Sequence, residues 1–348
     1  MSESPVPSWM KPLFPLTMGM SCIYSAIMRC RNAMYDGGVL KSHSLGKPTI
    51  SVGNITSGGT GKTPVVRWLA ERLLSDGYRP AILMRGYRSD VTGFSDEREL
   101  LAGYLPDVPV IANPDRIAGA ADALARNPPI DTFILDDGMQ HRRARRDVNL
   151  VLVHAADPFS NGWVLPYGLL REPLAGLSRA DAFLLTHADE VDSAAIDRIR
   201  ATLSRFNPNA PIYLSDHALE SVRSTDGAMN PIASLRARRV FIFSGIASPE
   251  SFSQSIQSAG VELCDAMAFG DHHIYTPADW LNIQSKAQQA KADVIVTTQK
   301  DWVKVARIIG DQKLTTPIFV AELSLRFHDD HAEQLVNFIR GKLTLPAQ

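Results

Sequence analysis

Cysteine is scarce here: Cys22, Cys30 and Cys264 are the only three in 348 residues. Their odd number and wide spacing exclude a disulfide framework and a thiolate zinc centre, and point to a reducing compartment. Neither sign of charge dominates. With 36 basic and 37 acidic residues, the formal net charge is −1. Nothing therefore draws the whole chain to nucleic acid, and anion binding must come from local clusters. A bilayer-spanning run is also missing. The uncharged stretch from Pro12 to Met28 falls short of the roughly 20 apolar residues required, and Pro15 and Gly19 interrupt it. Internal repeats and low-complexity tracts are absent. The composition, 45% hydrophobic and 21% charged, is that of a globular chain with room for two domains.

What is present is concentrated between Pro48 and Pro64. The β-branched run Ile50, Val52, Ile55 leads into Thr56-Ser57-Gly58-Gly59-Thr60-Gly61-Lys62-Thr63, and an amphipathic stretch from Val65 to Ser75 follows at once. Strand, glycine-rich turn and helix are the context of a phosphate-binding P-loop. Glycines let several backbone N–H groups converge on one anion, and the helix N-terminus adds partial positive charge. In such a loop Lys62 reaches the β- and γ-phosphates and the Thr63 hydroxyl ligates Mg²⁺. Thr56 stands where the full pattern has glycine. The competing reading is an ordinary glycine-rich turn between strand and helix.

A second signal ends the run from Asp131 to Leu135. Asp136 and Asp137, followed by Gly138-Met139-Gln140-His141, match a Walker B strand whose carboxylates hold Mg²⁺. An Asp-Gly hairpin turn is the alternative. Arg142, Arg143, Arg145 and Arg146 follow, either as a solvated face or as countercharge for an anionic substrate or lipid headgroup. Apolar runs at 80–84, 108–112, 149–154, 182–186 and 211–214 alternate with helical stretches such as 116–126. This pattern predicts an α/β fold with a doubly wound, mostly parallel, P-loop NTPase-like sheet. Ligands then gather at the carboxyl ends of the strands, where Lys62, Asp96, Asp136 and Asp137 fall.

Three segments are expected: an N-terminal helix over 1–35, a P-loop core over 36–225, and a smaller α/β domain over 236–348. Polar residues from Glu220 to Asn230 read as the linker. In the N-terminal segment Leu16, Met20, Ile23, Tyr24 and Ile27 recur at helical spacing, with Arg29 and Arg31 behind them. That suits a helix lying in a membrane surface or one packed on the core. The loop from Asp157 to Leu174 carries Phe159, Trp163, Tyr167, Leu169 and Leu170, so it either tucks into the core or touches something apolar.

Taken together, these stretches resemble the tetraacyldisaccharide 4′-kinases, the lipid A 4′-kinases of Gram-negative bacteria. The resemblance rests on Ser51 through Pro64, Arg85-Gly86-Tyr87, Asp136 through His141, Leu170-Arg171-Glu172-Pro173-Leu174, Ser244-Gly245-Ile246 and Asp271-His272. It implies transfer of the ATP γ-phosphate to the 4′-hydroxyl of a tetraacylated glucosamine disaccharide 1-phosphate, at the cytoplasmic face of the inner membrane, with Mg²⁺. It further implies that the N-terminal helix is interfacial. Asp96 would correspond to the catalytic aspartate and His272 to its histidine partner, with Lys62 and Thr63 on the phosphates and metal. Glu97, Arg116, Gln140, His141 and Arg171 are further active-site candidates. Two departures are visible: Ser95 replaces a glycine before Asp96, and Gln299 replaces a glutamate before Lys300-Asp301. A sugar hydroxyl is a poor nucleophile, so a positioned carboxylate makes chemical sense as its proton acceptor. The rival readings are a membrane-associated P-loop NTPase switch and a non-catalytic nucleotide-binding module. Against a guanine-specific switch, the segment Thr186-His187-Ala188-Asp189 lacks the asparagine and lysine of a guanine-recognition loop.

Overall fold

The computed structural model describes residues 14–86, 96–126, 129–246, 249–271, 273–310 and 314–343. In chain order these form α1 (Phe14–Asp36), β1 (Thr49–Asn54), α2 (Lys62–Ser75), β2 (Pro80–Met84), α3 (Asp96–Tyr104), β3 (Val110–Ala112), α4 (Arg116–Ala125) and β4 (Thr132–Asp136). Next come β5 (Val148–His154), β6 (Ala182–Thr186), α5 (Ser193–Phe206), β7 (Ile212–Ser224), β8 (Met229–Pro231), β9 (Val240–Ser244) and α6 (Pro249–Ser258). The remainder is β10 (Leu263–Ala268), α7 (Pro277–Gln289), β11 (Val294–Thr298), α8 (Gln299–Ile309), β12 (Ile318–Phe327) and α9 (His331–Lys342).

Two compact units result, and neither is continuous in sequence. The first comprises 1–86, 105–216 and 327–348; the second comprises 87–104 and 217–326. In the first unit the strand order is β7-β6-β5-β1-β4-β2-β3, with every pair parallel. Strands β1, β2, β4 and β6 are buried along their whole length, as expected of runs covered by helices on both faces. The chain leaves β1 toward β2 on one side and later reaches β5 on the other. The carboxyl end of β1 is therefore the topological switch point. One core cluster gathers Ile55, Met139, Val164, Leu170 and Phe183; another gathers Leu45, Leu83, Phe133 and Leu135.

The last helix completes this first unit. Leu335, Val336 and Ile339 of α9 are buried, His331 Nδ1 accepts from the Leu214 N–H at 3.0 Å, and Arg72 pairs with Glu333 at 2.7 Å. Phe327 lies 4.5 Å from the Trp68 ring, centroid to centroid.

The second unit has the order β10-β9-β11-β12, again parallel. The expected linker over 220–230 is instead a β-hairpin: β7 continues to Ser224 and pairs antiparallel with β8 from Ser221–Pro231 to Arg223–Met229. Its turn is made by Asp226-Gly227, and Val222 is fully buried. Polar residues on the open face of a strand hide such an element from a composition reading. Helix α3, which begins at Asp96, belongs to this unit and packs on α8.

Candidate active site

Strand β1 delivers the chain to a turn closed by Gly61, which caps α2 in the left-handed region (φ 74°) that a side chain would strain. Glycine is also required at Gly53, where a Cβ would come within 2.6 Å of the Met139 nitrogen. That close approach brings the Asp136–His141 loop onto the end of β1. The P-loop is tethered on its other flank by residues far away in sequence. Ser57 N–H donates to Leu169 O at 2.6 Å, Arg171 N–H donates to Ile55 O at 2.8 Å, and the Thr186 hydroxyl donates to Thr60 O at 3.1 Å. Thr56, in the atypical position, is buried and bridges to Leu170. Gly58 and Gly59 complete the turn, and Thr63 is the second residue of α2.

Lys62 is the centre of the charge arrangement. Its Nζ donates to Asn54 Oδ1 at 3.0 Å and lies 3.6 Å from Asp137. Arg171 Nη1 meets both oxygens of Asp137, at 2.7 and 2.6 Å. Burial alone would raise the Asp137 pKa, but Lys62 and Arg171 overcome it and hold the carboxyl below its usual value. Asp136 ends β4 and is 6% exposed. The Gln140 amide donates to Asn54 O at 2.9 Å and to Glu172 at 3.2 Å. Glu172, fully buried, also accepts from Arg179 at 2.7 Å.

His141 is held neutral. Burial, then the nearby Arg116 and Arg146 cations, bring its pKa from an ordinary 6.5 to about 4. Arg116 itself is buried at the start of α4 and donates to the carbonyls of Asn113 and Pro114.

The structure thus gathers Thr56 to Thr63, Asp136, Asp137, Gln140, His141, Arg116 and Arg171 in the first unit. Asp96 and Glu97 open α3 in the second unit; the Asp96 side chain and all of His272 lie outside the described residues. The arginine run is mostly structural. Arg146 donates to the carbonyls of Gly138, Met139, His141 and Ala144, Arg142 pairs with Asp36, and Arg143 with Asp115. Sequence reasoning passed over Asn54 and Glu172. The available signal was an amide side chain closing a buried strand just before the glycine-rich turn, and a carboxylate set between Arg171 and Pro173.

Helix α1 is long but, among the described residues, no helix is long and apolar enough to cross a membrane. Leu16, Met20, Ile23 and Ile27 are 50–63% exposed along one side of it. Tyr24, one residue round from Ile23, turns inward instead and packs on the core. The apolar 157–174 loop is largely tucked in, with Val164 and Leu170 buried and Leu169 exposed.

A glycine-rich turn between a buried central strand and a helix, with its lysine beside an acidic strand end, defines a P-loop nucleotide-binding protein. Residues 13–342 match the family LpxK, described as tetraacyldisaccharide-1-P 4′-kinase. The chain is 36% identical to the tetraacyldisaccharide 4′-kinase of Pelobacter propionicus over 337 residues, covering 92% of this chain and 90% of that protein. It is 34% identical to the enzyme of that name from Halothermothrix orenii, covering 90% of each. The crystal structure of LpxK from Aquifex aeolicus, described as in complex with ATP, matches with a TM-score of 0.72 at 30% identity, covering 96% of this chain and 99% of that one. The chain belongs to the tetraacyldisaccharide-1-P 4′-kinase family.

Proposed function

We propose that this chain transfers the γ-phosphate of ATP to the 4′-hydroxyl of a tetraacyldisaccharide 1-phosphate at the cytoplasmic surface of a bacterial inner membrane. The observation that carries the reading is the placement of Lys62 and Arg171 on one carboxylate, Asp137, at the mouth of the P-loop. Two cations held in position ahead of the nucleotide need no reorganisation when charge builds on the transferred phosphoryl group, and such preorganisation is a major source of catalysis.

Thr63, Asp136 and Asp137 would supply hard oxygen donors, a hydroxyl and two carboxylates, which fit Mg²⁺. When bound, the ion neutralises charge shared by the β- and γ-phosphates. Asp137 stays ionised and balances Lys62 and Arg171. Asp96 takes the proton of the attacking sugar hydroxyl and His272 orients it; these two roles rest on family membership and on their motifs. The exposed row on α1 offers the apolar face that an enzyme acting on an acylated sugar needs at a bilayer surface.

Incubating the purified chain with labelled ATP, Mg²⁺ and the lipid A disaccharide precursor in mixed micelles tests the reading. Label is expected on the lipid, with Asp96→Asn greatly slowed. Free phosphate released at the same rate without lipid would overturn it in favour of a nucleotide-hydrolysing switch.

A further inference from the structure

Helix α1 has a second face. Beside and behind its exposed row, it makes polar contacts that a merely apolar anchor would not require. The buried Ser21 hydroxyl donates to Val164 O at 2.7 Å and accepts from the Tyr167 N–H at 2.9 Å. Tyr24 Oη donates to Arg171 O at 2.9 Å. Arg31 donates to Gln140 O at 2.6 Å, and Asn32 Nδ2 donates to Glu172 Oε2 at 2.9 Å. Buried polar groups are costly unless paired, so contacts of this kind fix one geometry more sharply than apolar packing does.

Three of their partners, Arg171, Gln140 and Glu172, are linked in turn to the residues that hold the P-loop lysine. One route runs from Tyr24 to the backbone of Arg171, from the Arg171 guanidinium to Asp137, and from Asp137 to Lys62. A second runs from Asn32 to Glu172, from Glu172 to the Gln140 amide, from that amide to Asn54 O, and from Asn54 Oδ1 to Lys62. Both begin on one helix within nine positions of each other, and both end on one ammonium group. All of these residues lie in the first unit.

We propose that α1 is a working part of the nucleotide site, with Tyr24 and Asn32 as positioning residues that set Arg171 and Gln140, and through them Lys62. The helix that carries the lipid-facing row thereby also holds the phosphate-binding cations in register. This inference rests on the reading that Lys62 and Arg171 grip the nucleotide phosphates.

The test compares Tyr24→Phe, Asn32→Ala and the double variant with the parent full-length chain. Three quantities are read: the dissociation constant for a fluorescent ATP analogue with Mg²⁺ and no lipid acceptor, the thermal midpoint, and sedimentation with phosphatidylethanolamine–phosphatidylglycerol vesicles. Each lost hydrogen bond loosens one route, so the double variant is expected to bind the nucleotide about fivefold to tenfold more weakly. Its vesicle sedimentation stays at the parent level. Parent-like nucleotide affinity in the double variant overturns the proposal, and so does a loss of vesicle binding in step with nucleotide binding. Should the double variant unfold, Tyr24→Phe alone decides, because it keeps the ring packed and is expected to weaken binding about twofold to threefold. A parent that binds ATP but phosphorylates no lipid would refute the proposed function and leave this inference standing.

Discussion

A single nitrogen of Arg171 contacts both carboxylate oxygens of Asp137, at 2.7 and 2.6 Å. The same carboxylate faces Lys62 at 3.6 Å, so one anion organises two cations at the phosphate site. Arg171→Ala should lower kcat by about 10²-fold, since it removes a preorganised charge acting on the transferred group. Arg171→Lys should recover only part of that, because the shorter and more strongly hydrated lysine does not place its charge where the guanidinium nitrogen sits. Steady-state kinetics at saturating ATP and acceptor check both.

Lys62→Ala should weaken Mg-ATP binding and reduce turnover by at least about 10²-fold. Asp137 then keeps Arg171 as its only cation in the pair of contacts described, and its pKa should rise toward the ordinary carboxylate value. Carbon-detected NMR titration of the aspartate carboxyls reads that change directly.

His141 gives a pH signature with a definite sign. Its pKa is about 4 in the folded chain against an ordinary 6.5, so between these values the unfolded chain binds a proton that the folded chain does not. Stability therefore falls as pH is lowered from about 6.5 to about 4. Replacing His141 with Gln should flatten that slope in urea titrations. Neutral throughout the physiological range, His141 should add no limb to the kcat profile above pH 6.

The substitution at Gln299 has a structural account in the second unit. Its side-chain amide donates to Glu322, a buried carboxylate that also accepts from Tyr104 at 2.8 Å and from Arg223. Gln299→Glu would set two carboxylates against each other and should cost about 1–3 kcal/mol in urea unfolding. Pairing it with Glu322→Gln should restore part of this, because the hydrogen bond returns with donor and acceptor exchanged while Arg223 loses its anion.

On α1, Ile23 and Ile27 are 63% and 57% exposed. Changing both to Ser should reduce vesicle binding by about tenfold or more, given roughly 1.5–3 kcal/mol per buried aliphatic side chain. The thermal midpoint should hardly move. Flotation assays at fixed lipid concentration measure the first quantity, and calorimetry the second.

Much of the first unit was legible in the sequence because its strands are continuous apolar runs with sharp boundaries. Pro80–Met84 and Ala182–Thr186 are strands over the ranges read from the pattern. The P-loop and the acidic strand end were legible because their chemistry demands particular residues at fixed spacing. The extension of β7 was not, since Glu220, Ser221 and Arg223 surround the buried Val222 and resemble a solvated linker. Neither were the partners of Asn32 and Tyr24. These lie 140 and 147 positions away, and local pattern carries no information about contacts at such separation.

Helix α9 closes the unit that holds the P-loop, by burying Leu335, Val336 and Ile339 and by receiving the Leu214 N–H at His331. During synthesis, then, the nucleotide-binding unit waits until the whole of the second unit has been made. A nascent chain stalled after β12 would present Trp68 without Phe327's neighbouring helix and Leu214 without its acceptor. Chaperone recognition and proteolytic nicking of such fragments should centre on that uncovered side of α2.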